Sequence, residues 1–317
     1  MLTYIEIKLR KWIVKFLQII DHFCNQLPSS SLKTNIIKWV NNIKKKVILP
    51  LYDDYTFLSY VKRKKIGLEK QYMSINTLAI RGSNSDYGFY SSLWKGSFNL
   101  GLTSTDLYTT YKLYENYRDN LKNLKYVIFF INIPSPGYSL IHTIERYRAV
   151  TYKYFFNIPY LNDDYINTKY EKWILNKCGR IRINEVEPDY YGYDKKLYYG
   201  TNIKTQERVR THIRENRREP NQLIWLKRLN ALIQSDGRRL IILIPPFRSD
   251  YKNALPNEAE LFKKFYELEL KGVEYLNFYN STLFSEDDFG DVDHLNEKGA
   301  IKLTTELKKI FENRNWI

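Results

Sequence analysis

A chain of 317 residues has room for one large domain or two modest ones, and its 44% hydrophobic content, with 28 Tyr and 16 Phe, is enough to bury a core and to exclude intrinsic disorder. Only Cys24 and Cys178 occur, with no spacing motif between them, which excludes a disulfide framework or a zinc site and fits a reducing compartment. The net charge of +15 favours acidic partners such as phosphates, acidic glycans or anionic lipid heads. Nucleic acid is not expected among them, because no C2H2, RRM or KH signature accompanies the charge.

The basic surplus begins at the N-terminus. Residues 1–50 hold Lys8, Arg10, Lys11, Lys15, Lys33, Lys38, Lys44, Lys45 and Lys46 against Glu6 and Asp21, a net of +7. Ile5, Leu9, Ile13, Leu17 and Ile20 recur at helical spacing, and Leu27-Pro28-Ser29-Ser30-Ser31 breaks this helix from a second one around Leu32 to Val47. We therefore expect a basic helical arm over 1–72. Its apolar stripe suits packing on the main domain, and its charge suits peripheral contact with an anionic membrane surface. No apolar run approaches the roughly 20 residues that span a bilayer. The longest early stretch, Trp12 to Ile20, is broken by Lys15 and Gln18 and has no cleavage site after it. The expected location is the cytoplasm, with the inner face of the membrane as the place of any peripheral contact.

From Ile75 the pattern changes to short apolar runs separated by helical segments. Strands are predicted at Ile75–Ile80, Ser97–Leu100, Tyr126–Ile131, Arg239–Ile244 and Gly272–Phe278. Helices are predicted at about 104–120, 221–234, 258–268 and 296–311, with Thr103 and Asp106 as a capping box for the first. Strands alternating with helices imply right-handed crossovers, so residues 73–317 should form an α/β three-layer sandwich around a mostly parallel five-stranded sheet. The stretch 138–238 is far longer than one crossover needs and reads as a helical insertion. It is rich in Tyr and in Arg, including Arg180, Arg182, Arg208, Arg210, Arg214, Arg217 and Arg218. It suits a cap offering cations and aromatic faces to an anionic or sugar-bearing substrate, and equally a solvated basic surface.

Chemistry is expected beyond the carboxyl ends of parallel strands, where Arg81-Gly82-Ser83-Asn84-Ser85 follows the first strand. A serine nucleophile needs a base within hydrogen-bond reach and a third group to orient that base. Of His22, His142, His212 and His294, the last stands directly before the final amphipathic helix, and Asp291 lies three residues earlier, across one tight turn. Asn296 and Asp293 also suit the cap of that helix. Arg248, in the loop after the fourth strand, is a candidate for bidentate binding of a substrate carboxylate or phosphate. Asp106 reads as a helix-start residue. No Gly-rich phosphate loop, CxxC pair or HExxH motif appears, so neither cofactor nor metal is expected.

The segments Leu78–Phe89 and Ser97–Ser104 resemble the first two sequence blocks of SGNH/GDSL-like proteins encoded with bacterial surface-polysaccharide genes, and Asp291-Val292-Asp293-His294-Leu295 resembles their final block. The resemblance runs over about residues 70–317. It implies Ser83 as nucleophile, Asp291 and His294 as its partners, and an oxyanion hole from the Ser83 N–H, Gly101 and Asn132. Two departures stand out: Arg81-Gly82-Ser83 replaces the family's Gly-Asp-Ser, leaving Ser85 as an alternative nucleophile, and Asn132-Ile133-Pro134-Ser135-Pro136-Gly137 replaces its Gly-x-Asn-Asp. The implied activity is that of an O-acyltransferase or an esterase/deacetylase on a surface glycan such as capsule or lipopolysaccharide, or on an acidic or lipid-linked precursor. A non-catalytic glycan-binding or assembly protein on the same fold is the rival expectation.

Overall fold

The computed structural model describes residues 49–143, 145–160, 169–196, 203–216 and 222–317, with residues 16, 19, 20, 33, 35 and 36 as isolated positions. The predicted helices over 1–50 lie almost wholly outside the described residues. The chain divides into two compact units, Met1–Tyr60 and Val61–Ile317, a division earlier than the expected one at 72/73. The helix α1 (Leu49–Gln71) contains this division. Everything below concerns the second unit.

Five strands, β1 (Thr77–Ile80), β2 (Ser97–Leu100), β3 (Tyr126–Phe130), β4 (Arg239–Ile244) and β5 (Glu274–Asn277), form one sheet in the order β2-β1-β3-β4-β5, every neighbouring pair parallel. Helices join them: α2 (Gly82–Gly88), α3 (Leu107–Tyr117), α4 (Tyr147–Phe156), α5 (Lys169–Arg180), α6 (Thr205–Glu215), α7 (Leu223–Ser235), α8 (Ser249–Asn253), α9 (Glu258–Tyr266) and α10 (Glu297–Asn313). The fold is thus the α/β sandwich with a five-stranded parallel sheet that the alternating pattern predicts.

The three central strands read as nearly continuous apolar runs because helices cover both of their faces. Ala79, Ile128, Phe130, Ile241 and Leu243 point into one core with Leu303, Leu307 and Phe311 of α10. Their neighbours Leu78, Ile80, Val127, Phe129, Leu240 and Ile242, on the opposite side by strand alternation, are equally buried. There α3 packs against α7, which also lies on β4. The tail of the predicted insertion, α7, is thus the crossover helix into β4, and α4, α5 and α6 are the added helices.

The edge strand β2 does not end the structure. Asn99 N–H donates to the Tyr191 carbonyl at 2.9 Å, so the insertion's returning segment shields part of that edge. The same segment reaches under α2, where Lys196 and the fully buried Lys64 grip the Asp86 carboxylate at 2.6 and 2.7 Å. Burial pulls the Lys64 ammonium down to about 8 even with Asp86 opposing it.

Strand order decides where a site can open. Connections leave β1 and β3 toward opposite edges of the sheet, which parts the loops at their carboxyl ends and creates a crevice. Ser83 follows β1 and Asn132 follows β3, so both candidates sit at that crevice.

Candidate active site

The nucleophile turn is built from conformations most side chains avoid. Arg81 has φ 83 and Gly82 φ 61, turning the chain sharply from β1 into α2. The Gly82 N–H donates to Thr105 Oγ1 at 2.8 Å, which ties this elbow to the loop after β2. Ser83 thereby enters the first turn of α2, where backbone N–H groups have no intrahelical acceptor.

The loop bearing the histidine is equally constrained. Asp291 Oδ1 accepts the backbone N–H groups of Asp293 at 3.1 Å and His294 at 2.9 Å, an aspartate turn closing on itself. Asn84 Nδ2 donates to the Asp293 carbonyl at 2.9 Å, so α2 holds this loop directly. Asn296, accepting from Gly299 N–H at 3.1 Å, then caps α10.

These two constraints bring Ser83, His294 and Asp291 together. Ser83 Oγ lies 2.7 Å from His294 Nε2, and His294 Nδ1 lies 3.0 Å from both oxygens of Asp291. Burial alone would raise the Asp291 carboxyl, but the facing imidazole and its hydrogen bonds hold it far below the ordinary carboxylate range. An ionised Asp291 can only accept, so Nδ1 carries the imidazole proton and neutral Nε2 is left to accept from the Ser83 hydroxyl. Ser85, the alternative nucleophile, is fully buried on the helix interior, and its Oγ has no hydrogen-bond partner among the described residues.

A second carboxylate stands behind the first. Asp293 lies 3.8 Å from His294 Nδ1 and is itself clasped by Arg208 of α6 through Nε at 2.9 Å and Nη2 at 3.0 Å. Burial disfavours the His294 cation, but the charges of Asp293 and Asp291 outweigh it and raise the imidazole above its usual value. His212, one turn along α6, is bonded to the Tyr251 hydroxyl and lies 3.8 Å from Asp293. Burial drives its pKa down to about 3, so it stays neutral there. Asp291, Asp293 and His294 have the spacing of a three-ligand cation site, but every one of these groups is engaged with a protein partner.

Ser83 opens into a cavity of about 390 Å³, within the size range of small-molecule sites. Gly82, Asn132, Asp291 and His294 line it beside Ser83. The facing wall comes from Thr103 and Ser104 of the loop after β2, from Tyr138, Glu145 and Arg148 at the start of the insertion, and from Arg208, Thr211, Arg214 and Glu215 of α6. Each lining arginine has a carboxylate beside it: Arg148 with Glu145 at 3.2 Å, Arg208 with Asp293 at 2.9 Å, Arg214 with Glu215 at 3.4 Å. The basic character of the chain is therefore balanced at this opening.

Three expectations need correction. Gly101 does not line the cavity; its N–H donates to Asn99 Oδ1 at 2.8 Å and its carbonyl accepts from Lys64 at 2.6 Å. Its lack of a side chain serves packing, since a Cβ there would meet the Asp86 backbone nitrogen at 2.3 Å. Thr103, Ser104 and Thr105 of this loop line the cavity instead; Ser104, at φ 61, has its hydroxyl bonded to Glu145 at 2.5 Å and Arg148 at 2.9 Å. Arg248 also lies away from the cavity, spanning Asp250 at 2.7 and 2.8 Å. Finally, Thr103 does not start α3 through a capping box; Asp106, read as a helix-start residue, is itself the cap and accepts from Thr109 N–H at 2.8 Å.

Arg208, Asp293 and His212 are the site residues that sequence reasoning did not assign. Arg208 stood among the insertion's basic residues, but nothing in linear spacing distinguished it from Arg210 or Arg217, because its partner lies 85 positions away.

No family model and no curated protein matches the chain. Among solved structures, one from Streptococcus pneumonia, provisionally described as a platelet activating factor, is similar with a TM-score of 0.38 and 12% identity over 89% of this chain and 99% of that one. A likeness of that size carries no weight for fold or activity here.

Proposed function

We propose that this chain is a serine-dependent acyl-ester enzyme, an O-acyltransferase or esterase/deacetylase of the SGNH/GDSL kind, acting on a bacterial surface glycan or its precursor. The observation that carries the reading is the continuous relay from Ser83 Oγ through His294 to Asp291, with contacts of 2.7 and 3.0 Å, at the floor of a cavity.

In this reading His294 Nε2 takes the Ser83 proton as Oγ bonds to the acyl carbonyl carbon. The resulting oxyanion is met by the Ser83 N–H and the Asn132 side-chain amide. Collapse expels the alcohol, which receives the proton from His294 and leaves an acyl-Ser83. A sugar hydroxyl or water, deprotonated in turn by His294, then attacks the acyl carbon and releases Ser83. Resemblance of the three sequence blocks supports the glycan; the paired Arg and Glu side chains facing the triad offer both donors and acceptors to sugar hydroxyls.

A fluorophosphonate probe tests this directly by intact mass. Expected is one adduct on wild type, absent in Ser83→Ala and His294→Ala and retained in Ser85→Ala. An adduct that survives Ser83→Ala, or none on wild type, sinks the proposal and leaves a glycan-binding module as the better reading.

A further inference from the structure

We infer that Arg81 is a positioning residue that orients the Asn132 amide as an oxyanion donor, an inference that rests on the serine-enzyme reading above. Several unfavourable features meet at this one residue. Its φ of 83 is a conformation that side chains disfavour. The residue is 2% exposed, and its Nε and Nη2 are buried with no hydrogen-bond partner among the described residues. Such local violations in a folded chain concentrate where geometry matters to function.

What the guanidinium secures is visible at Asn132. Arg81 Nη1 donates to Asn132 Oδ1 at 2.9 Å, and Ser135 Oγ donates to the same oxygen at 2.6 Å. With the oxygen held there, the NH₂ group must point the other way, toward the nucleophile turn; Nδ2 lies 3.6 Å from where a Cβ on Gly82 would sit. Ser135 does not settle the orientation: its Oγ accepts the Asn132 backbone N–H at 2.8 Å and, as a hydroxyl, keeps a second lone pair that can accept from an NH₂. Arginine can only donate. A flipped Asn132 would set its NH₂ against the guanidinium N–H, so Arg81 alone decides which end of the amide meets the substrate. Burial draws the guanidinium down to about 10, with Asp106 opposing that shift, which leaves it charged at neutral pH.

The test combines a structural and a kinetic reading. The side-chain ¹⁵N signal of Asn132, identified by its loss in Asn132→Ala, is expected to shift or broaden in Arg81→Met. Fluorophosphonate labelling of Ser83 should slow about 100-fold in Asn132→Ala and about 10- to 100-fold in Arg81→Met, as for loss of one oxyanion donor. The double variant should react no more slowly than Asn132→Ala, because one effect passes through the other. Asn132→Asp, which keeps an oxygen for Arg81 but removes the donor, should melt above wild type while losing as much labelling as Asn132→Ala. This variant decides the matter if Arg81→Met does not fold. An unmoved Asn132 signal, multiplicative losses in the double variant, or a lower melt for Asn132→Asp would each overturn the inference. If wild type takes no label, the enzyme reading fails, and the Asn132 signal and the Asp variant's melt still decide whether Arg81 holds the amide.

Discussion

The two walls of the cavity are made differently. The wall bearing Ser83 hangs on strand ends and short loops: Ser83 three residues past the end of β1, Asn132 two residues past the end of β3, and Asp291 with His294 in one self-bonded turn. The other lining comes largely from helices of an insertion, and its charges come as the local pairs Arg148–Glu145 and Arg214–Glu215 and one long-range pair, Arg208–Asp293. Under the proposed enzyme reading the difference separates tasks. Chemistry needs groups placed to a fraction of an ångström, which the sheet provides, whereas recognition tolerates side chains carried on an appended helix. Arg208 is the exception, because it belongs to the insertion yet touches Asp293, the carboxylate beside His294.

The largest expected effect tests the wall bearing Ser83 itself. Ser83→Ala or His294→Ala should each reduce ester turnover by about 10⁴-fold or more, and the double variant should be no worse, since the two act as a unit. A steady-state assay on an activated acyl ester checks this, and independent, multiplicative losses would break the assignment. Substitutions on the facing wall, such as Arg214→Ala, should instead raise KM for a sugar ester with little change in kcat for a small activated ester.

A smaller effect sharpens the exception. In the proposed mechanism turnover requires neutral His294, so the rate should fall as pH drops through an imidazole pKa that Asp293 and Asp291 hold above the ordinary value. Asp293→Asn removes one of those charges, lowers that pKa, and should move the acid limb of the pH–rate profile to lower pH. Arg208→Met removes a cation that opposes imidazole protonation and should move the same limb to higher pH. Opposite displacements from two partners in one ion pair are hard to mimic by general damage. Shifts of the same sign would show that α6 acts on the site only through packing.

The comparison also explains what could be read from the sequence. Period and turn residues are local, so β2 and β4 came out with the bounds the structure gives them, and the spacing of Asp291 and His294 lay within one turn. Gly101 was misassigned because a glycine required for close approach and a glycine offering a free N–H look alike in sequence; only the 2.3 Å meeting with the α2 backbone tells them apart. Arg208 and Arg81 were out of reach for a related reason. Their partners, Asp293 and Asn132, are separated from them by 85 and 51 positions, and no periodicity encodes such pairs.

The smallest effect expected is that of Arg248→Ala, and it is informative because sequence alone recommended this residue for substrate binding. Its position after β4 is at the carboxyl end of the sheet, where Ser83 and Asn132 also lie, so topology does not exclude it. What excludes it is its own neighbourhood. Nε and Nη2 are both taken by Asp250, two residues on, and Glu286 stands 3.5 Å away on the exposed side. A guanidinium already spanning a carboxylate, and partly in water, has little left to offer a ligand, and such a surface pair contributes only about 0–1 kcal/mol to stability. Turnover and KM for an acyl sugar should stay within about twofold of wild type, since surface substitutions away from special features are nearly neutral. A tenfold rise in KM would mean that the substrate extends past the triad along the β4–β5 end of the sheet, and that the insertion is not its main platform.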